Sequence, residues 1–396
     1  MKIDTTPEKI HDILTRGVED VFVRDDLEKA LLSGQQLRIK LGIDPTGPKI
    51  HIGRASVLRK LRAFQKLGHQ VVLIVGDFTA QVGDASDKTE KRPMLGRALI
   101  EENMIDYKNQ IGKVLDLEQV EFVYNGDWLR PMGFQEISEL AESFTVQQMI
   151  ARRNFKDRIE AGTEISLREL LYPLMQGYDS VAVRADVELG GFDQLFNLKA
   201  GRAIQKHYGQ KEQNVLTVQM LEGTDGRKMS TSWGNIITIV DEPADMYGKV
   251  MSLRDELISR YFLLATDVTL AEIAEIEKEL EKGTNPRDLK MRLARTIVEM
   301  YHGTAEAAYA EESFVETFQK GGTPEVIDEI LFKEGDDLAT LLLKNKYVAS
   351  KTEWKRLVDE GGVKKEDGEK VTDYSPVFEK TTILKIGKKR FVKIVI

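Results

Sequence analysis

From Leu37 to Ile43 the chain alternates: Leu37, Ile39, Leu41 and Ile43 are apolar, with Arg38, Lys40 and Gly42 between them. A period of two predicts a pleated strand. The pattern stops at Asp44-Pro45-Thr46-Gly47-Pro48, where two prolines and a glycine turn the backbone. After His51-Ile52-Gly53-Arg54 the spacing becomes helical, with Val57, Leu58, Leu61, Phe64 and Leu67 on one stripe and Gly68 as a stop. Val71 to Val75 is then wholly apolar, as expected of a parallel strand covered on both faces. Strand, helix and strand make a βαβ unit, whose crossover is right-handed in nearly all proteins.

Other elements follow from the same patterns. Residues 1–34 read as helical and charged, and 93 to about 115 as one long helix. Val120–Tyr124 reads as a strand before the turn Asn125-Gly126-Asp127, and 134–182 as mostly helical with an interruption near Gly162. Val181 to Val187 fits a strand or a helix continuation. Leu189-Gly190-Gly191-Phe192-Asp193-Gln194 is a glycine-rich turn into a helix ending near Gly209, and Val215–Val218 is a last strand of the sheet. Residues 244–320 are helix-rich, and Gly321-Gly322-Thr323-Pro324 reads as a linker. The tail reads as two short helices, about 338–345 and 350–360, then short strands around turns at Gly361-Gly362, Asp367-Gly368 and Gly387. There is no internal repeat and no low-complexity segment.

At 396 residues the chain suits two or three domains. It is 41% hydrophobic and 31% charged, the balance of a soluble globular protein. No apolar run approaches the ~18–20 residues of a membrane helix, and the first residues lack the apolar centre of a secretory signal, so the expected address is the cytoplasm. Zero cysteines exclude disulfides and thiolate metal sites. The five histidines are scattered, so no protein-bound metal is expected. Net charge is −8, but residues 339–396 hold 14 Lys+Arg against 8 Asp+Glu, about +6 on a body of about −14. A basic tail on an acidic body fits an appended nucleic-acid module.

The strand–turn–helix around His51 has the makings of an anion site, since unpaired N–H groups and the positive helix end both face the turn. His51 adds a neutral donor and Gly53 leaves room for a nucleotide. Alone this is common to many α/β proteins. A second stretch far downstream, Gly226-Arg227-Lys228-Met229-Ser230-Thr231-Ser232, changes its meaning. His-Ile-Gly followed by Lys-Met-Ser-x-Ser, in that order and at that separation, resembles the paired motifs of class I aminoacyl-tRNA synthetases. No Gly-x-x-x-x-Gly-Lys-Ser/Thr occurs, which disfavours a P-loop NTPase.

Tyr172-x-x-x-Gln176-x-x-Asp179 puts a phenol, an amide and a carboxylate on one helix face. This set, with the two motifs, resembles the tyrosyl-tRNA synthetases over nearly the whole chain. Tryptophanyl enzymes are the nearest sibling, and are not expected to keep this Gln and Asp together. The resemblance implies an α/β fold: a Rossmann-like parallel-sheet catalytic domain (1–240) with a helical insertion at about 120–185, an α-helical anticodon-arm domain (241–325) and a small α+β RNA-binding domain (335–396). It implies ATP with Mg²⁺ as substrate complex, tyrosine and tRNA(Tyr) as partners, and a homodimer. Thr46, His51, Lys88, Arg92 and Lys228 are the implied catalytic residues. Gly42, Asp44, Thr46, His51, Gly53, Arg54, Gly191, Asp193, Met220, Lys228, Met229, Ser230 and Thr231 are implied for ATP. Lys40, Asp84, Tyr172, Gln176, Asp179 and Gln194 are implied for tyrosine.

Three positions depart from the common family pattern. Arg54 stands where His is usual, Thr231 where many relatives have a second lysine, and Lys40 where some tyrosyl enzymes place a tyrosine on the substrate phenol. The first two invite a rival reading, a non-catalytic RNA-binding paralogue, but the full tyrosine set argues against it. The tail resembles the small RNA-binding domain of some ribosomal proteins and pseudouridine synthases. That likeness implies phosphate contacts for Lys351, Lys355, Arg356, Lys388, Lys389 and Arg390.

Overall fold

The computed structural model describes residues 2–84, 94–229, 233–318, 329–333, 335–366, 368–378, 380–387 and 390–396. The chain divides into two compact units, Met1–Tyr301 and His302–Ile396.

In the first unit β1 (Val18–Phe22), β2 (Arg38–Ile43), β3 (Gln70–Val75), β4 (Val120–Tyr124), β5 (Val187–Gly191) and β6 (Asn214–Val218) form one sheet, ordered β1-β6-β5-β2-β3-β4. All neighbours are parallel except β1, which runs antiparallel to β6. Val71 to Ile74 of β3 are fully buried, as an apolar run inside a parallel sheet requires. Chain order runs outward from β2 through β3 to β4 on one side, and from β5 to β6 on the other. β2 and β5 pair only at Ile39↔Val187 and Lys40↔Glu188, then part. Such a reversal point, at the carboxyl ends of the strands, is where open α/β sheets hold ligands.

Helices α1 (Pro7–Thr15) and α2 (Arg24–Leu32) flank β1, and α3 (Ile52–Lys66) crosses from β2 to β3. α4 (Thr79–Val82), α5 (Arg97–Met104) and α6 (Tyr107–Gly112) precede β4. α7 (Gly126–Leu129), α8 (Phe134–Ala141), α9 (Val146–Ile150), α10 (Arg153–Glu160) and α11 (Leu167–Ala182) fill the interval to β5, and α12 (Leu195–His207) joins β5 to β6. α13 (Pro243–Met251), α14 (Ile258–Ala265), α15 (Leu270–Glu281) and α16 (Pro286–His302) follow. α11 and α12 pack closely at Gly177, where an added Cβ would lie 2.5 Å from Ile204 Cδ1.

Four sequence expectations change. Residues 1–34 contain β1, an edge strand made by pairing with β6 rather than by local pattern. The expected single helix after 93 is α5 and α6, parted at Ile105 and Asp106. Both pieces hold the turn after β2: Asn103 donates to the Pro45 carbonyl at 3.0 Å, and Gln110 accepts from Ile50 N–H and donates to the Pro48 carbonyl, both at 2.8 Å. α3 begins at Ile52, with His51 as its cap, instead of after Arg54. Between Val181 and Val187 the helix ends at Ala182 and the strand begins at Val187, with Arg184 at φ 49 in the left-handed region.

In the second unit α17 (Thr304–Phe318), β7 (Glu329–Leu331), α18 (Leu338–Lys344), α19 (Lys351–Asp359), β8 (Val363–Lys365), β9 (Thr382–Ile386) and β10 (Arg390–Val395) follow in order. The strands form a sheet ordered β7-β10-β9-β8. Its core includes Leu342, Trp354, Leu384, Ile386, Val392 and Ile394, and the Trp354 indole donates to the Tyr374 carbonyl at 2.9 Å. Among the described residues no helix is long and apolar enough to cross a membrane.

Candidate active site

A cleft of about 750 Å³ opens at the carboxyl ends of β2, β5 and β6. The turn after β2 brings Asp44, Thr46 and His51 to it, and Gly42 lies on its floor. A Cβ on Gly42 would meet nothing within 4 Å, so that glycine faces open space. The first motif is tied through the backbone to the segment that follows the second. Ile52 N–H donates to the Ile237 carbonyl at 2.8 Å, and Ile239 N–H to the Ile50 carbonyl at 3.0 Å. Met229 packs on Gly53 so closely that a Cβ there would lie 3.2 Å from its sulfur.

His51 Nδ1 accepts from the Arg54 N–H at 3.2 Å, which leaves Nε2 as its donor. Burial, then the charges of Arg54 and Lys228, push its pKa down to about 3, so the imidazole is neutral. The Arg54 guanidinium donates to Tyr107 Oη at 2.7 Å and Thr46 Oγ1 at 3.0 Å. Lys228 pairs with Asp193 at 3.0 Å, so a cation from the β6 side meets a carboxylate from the β5 side.

The other half of the cleft is lined by α11 and the ends of β3 and β5. Tyr172 Oη donates to Asp44 Oδ2 at 2.8 Å, and Thr79 Oγ1 to Asp44 Oδ1 at 2.7 Å. Gln194 and Asn197 both donate to Asp84, at 2.8 and 3.4 Å. Asp179 is 3% exposed. It accepts from Trp128 Nε1 at 2.9 Å and from Asn125 Nδ2 at 3.3 Å. Burial raises its pKa to about 7, opposed by Lys40 and by those two donors.

All the expected ATP residues among those described line this one cleft: Gly42, Asp44, Thr46, His51, Gly53, Arg54, Gly191, Asp193, Met220, Lys228 and Met229. So do Asp84, Tyr172, Gln176, Asp179 and Gln194. Lys40 does not. Its buried ammonium turns instead to Glu188, Ser180 and the Gln176 carbonyl. Lys88, Arg92, Ser230, Thr231, Lys388 and Lys389 lie outside the described residues. Asn125, Trp128 and Asn197 carry no motif of their own, and the Asn-Gly-Asp turn after β4 is the one signal pointing to the first two; Thr79 follows β3, at the strand ends where open α/β sheets hold ligands. In the second unit Lys351, Lys355 and Arg356 are exposed on α19, while Arg390 pairs with Glu353 at 2.9 Å.

A second cleft, about 810 Å³, lies beside α1, α3, α14 and α16 and holds many cations. Three of them serve helix ends. Lys60 donates to the carbonyls of Ile13 in the last turn of α1 and of Arg16 just after it, Arg16 to that of Thr266 after α14, and Lys113 to that of Tyr301 in α16. Cations at helix carboxyl ends offset unpaired carbonyls and the helix dipole, so this cleft has a structural account. Among the described residues no cluster of His, Asp and Glu is arranged to hold a metal ion.

Residues 32–319 match the family model for class I tRNA synthetases of the tryptophan and tyrosine type. The chain is 46% identical to the tyrosine–tRNA ligase of Thermotoga maritima over 98% of each chain, and 46% identical to that of Moorella thermoacetica over 96% of this chain and 94% of the other. Its fold is similar to the C-terminally truncated mitochondrial tyrosyl-tRNA synthetase of Aspergillus nidulans, with a TM-score of 0.65 at 22% identity over 78% of this chain and 94% of that one. It is also similar to the Archaeoglobus fulgidus tyrosyl-tRNA synthetase solved with L-tyrosine, with a TM-score of 0.61 at 21% identity over 78% of this chain and all of the other. The full-length identity to tyrosine-specific relatives narrows a model shared with tryptophan enzymes: this chain belongs to the tyrosine–tRNA ligase family of class I tRNA synthetases.

Proposed function

We propose that this cleft activates tyrosine with ATP and passes the tyrosyl group to the 3′ end of tRNA(Tyr). One observation carries the reading: the His51 and Lys228 motifs line the same cleft as Asp179, Tyr172 and Gln176. In the first step the tyrosine carboxylate attacks the α-phosphorus, the bond to the bridging oxygen breaks, and pyrophosphate leaves. The substrate supplies the nucleophile, so the protein contributes position and charge. ATP, entering as its Mg²⁺ complex, lies along Gly42, Thr46, Gly53 and Met229. Neutral His51 and Thr46 donate to its phosphates, Arg54 holds Thr46, and Lys228 leaves Asp193 for the developing charge. Lys88 and Arg92 assist. In the second step the terminal ribose hydroxyl attacks the adenylate carbonyl and AMP departs.

Tyrosine lies with its ammonium toward Asp84, Gln194, Tyr172 and Gln176. Its phenol donates to Asp179, whose oxygens already hold Trp128 and Asn125. Phenylalanine would leave that buried carboxylate one donor short, the source of selection. ATP–pyrophosphate exchange with tyrosine, phenylalanine and tryptophan tests this reading. Tyrosine alone should support fast exchange, and equal rates with tryptophan would overturn the assignment.

We also infer a homodimer through the helical stretch between β4 and β5. Phe134 is 87% exposed and Leu167 79%, with Val146 and Ile159 also exposed, a density of apolar surface that invites cover. Sedimentation velocity checks it, and a monomer at micromolar concentration would refute it. The helices after residue 241 and the basic face of α19 are read as tRNA contacts.

A further inference from the structure

Lys40 and Glu188 face each other across the last rung that joins β2 to β5, where the strands part to open the cleft. Both side chains are shut from solvent, with the ammonium 2.9 Å from Glu188 Oε1. The same ammonium donates to the Gln176 carbonyl at 2.9 Å and to Ser180 Oγ at 2.8 Å, both on α11. Its three protons thus have three partners, and none is left for a substrate. Glu188 accepts in turn from the Gln176 amide at 3.2 Å, from Ser180 at 3.1 Å and from Gln213.

A buried ion pair contributes little stability over an apolar pair of the same volume, because both charges lose their hydration. This one ties the turn of α11 that carries Gln176, Asp179 and Ser180 to two strands at once. It also faces Asp179 electrically. Burial raises that carboxyl toward the neutral form. Lys40 on β2 is the chief influence against this, helped by Trp128 and Asn125 beyond β4, while Glu188 on β5 works weakly the other way. Asp44 beyond β2 and Asp84 beyond β3 act on Tyr172 on α11, the buried Arg152 before α10 faces Asp84 and Tyr172, and Lys49, His51, Arg54, Asp193 and Lys228 line the rest of the cleft.

We propose that Lys40, held by Glu188, is a positioning residue for tyrosine selection: it keeps Asp179 an ionised acceptor for the phenol and fixes the α11 turn that presents it. This rests on the reading of Asp179 as the phenol acceptor. Lys40 therefore contributes to specificity without touching the substrate.

The test is pyrophosphate exchange on the full chain across neutral pH, with tyrosine and with phenylalanine. Wild type is compared with Lys40→Met, Glu188→Gln and the double variant. The acidic limb of kcat/KM reports groups of the free enzyme, and for tyrosine it should centre at about 7. Lys40→Met should move it up by about one pH unit or more, since a lost opposite charge shifts a buried acid by about that much. Glu188→Gln should move it down, and the double variant should fall between. Phenylalanine rates should keep the wild-type profile. An unmoved limb in Lys40→Met, or equal loss for both amino acids at every pH, overturns the proposal. Should Lys40→Met fail to fold, Glu188→Gln decides: a downward shift supports the proposal and an unmoved limb overturns it. Wild type without tyrosine-dependent exchange would instead refute the reading of the site itself.

Discussion

The pocket around Asp179 and the outer face of α19 both depend on charge, yet they are built in opposite ways. Asp179, Lys40 and Glu188 are almost wholly buried, and each has named partners on both sides. Lys351 and Arg356 have side chains 56% and 61% exposed, and each pairs with a surface carboxylate, Asp337 and Glu360. Two charges at contact interact by about 1 kcal/mol in water and several-fold more near a protein interior. Exposed charges are also screened over about 8 Å at physiological salt. One buried group can therefore decide between two amino acids, whereas a surface reads a polyanion only by adding many weak contacts.

Substitutions should scale accordingly. Lys228→Ala removes the half-buried cation that meets Asp193 in the cleft. Loss of one aligned charge-stabilising donor lowers rates by about 10²–10³, so adenylate formation in single turnover should fall by that order with tyrosine affinity nearly unchanged. A loss of only a few fold would put Lys228 with the surface charges. Asp179→Asn should cut the preference for tyrosine over phenylalanine by about 10- to 100-fold, the worth of a hydrogen bond to a charged group at about 1.5–3 kcal/mol. The comparison of kcat/KM for the two amino acids measures it, with the melting temperature as control. Retained preference would remove Asp179 from the phenol. Lys351→Glu with Lys355→Glu should leave pyrophosphate exchange intact and lower tRNA charging several-fold at low salt, with the difference shrinking as salt rises. A salt-independent loss would mean that α19 acts through its packing.

The sequence made the cleft legible where chemistry is local. The turn after β2, the stop at Gly68, the apolar run of β3 and the one-sided set Tyr172, Gln176 and Asp179 are all written within short windows. What escaped depends on distant partners. β1 reads as part of a charged helical segment because Val-Glu-Asp-Val-Phe acquires its strand form from β6. Lys40 reads as a substrate contact because nothing nearby announces Glu188, which reaches it only when β5 pairs with β2. Trp128 and Asn125 come from an ordinary-looking turn, and their role follows from Asp179 arriving beside them. The break between α5 and α6 is invisible to periodicity, since the apolar stripe continues while the two pieces aim Asn103 and Gln110 at the turn.

The pairing of β1 with β6 also has a consequence during synthesis. Thr217 reaches the Asp20 carbonyl across 197 positions of chain. A ribosome that has delivered everything up to β5 carries an amino-terminal strand with nothing beside it and a cleft without its second motif. Contacts of such long sequence separation form late and slowly, and an unpaired strand edge invites association with other chains in the interval. Nascent chains stalled before residue 214 should be inert and prone to clump, and only those that clear β6 can close the sheet.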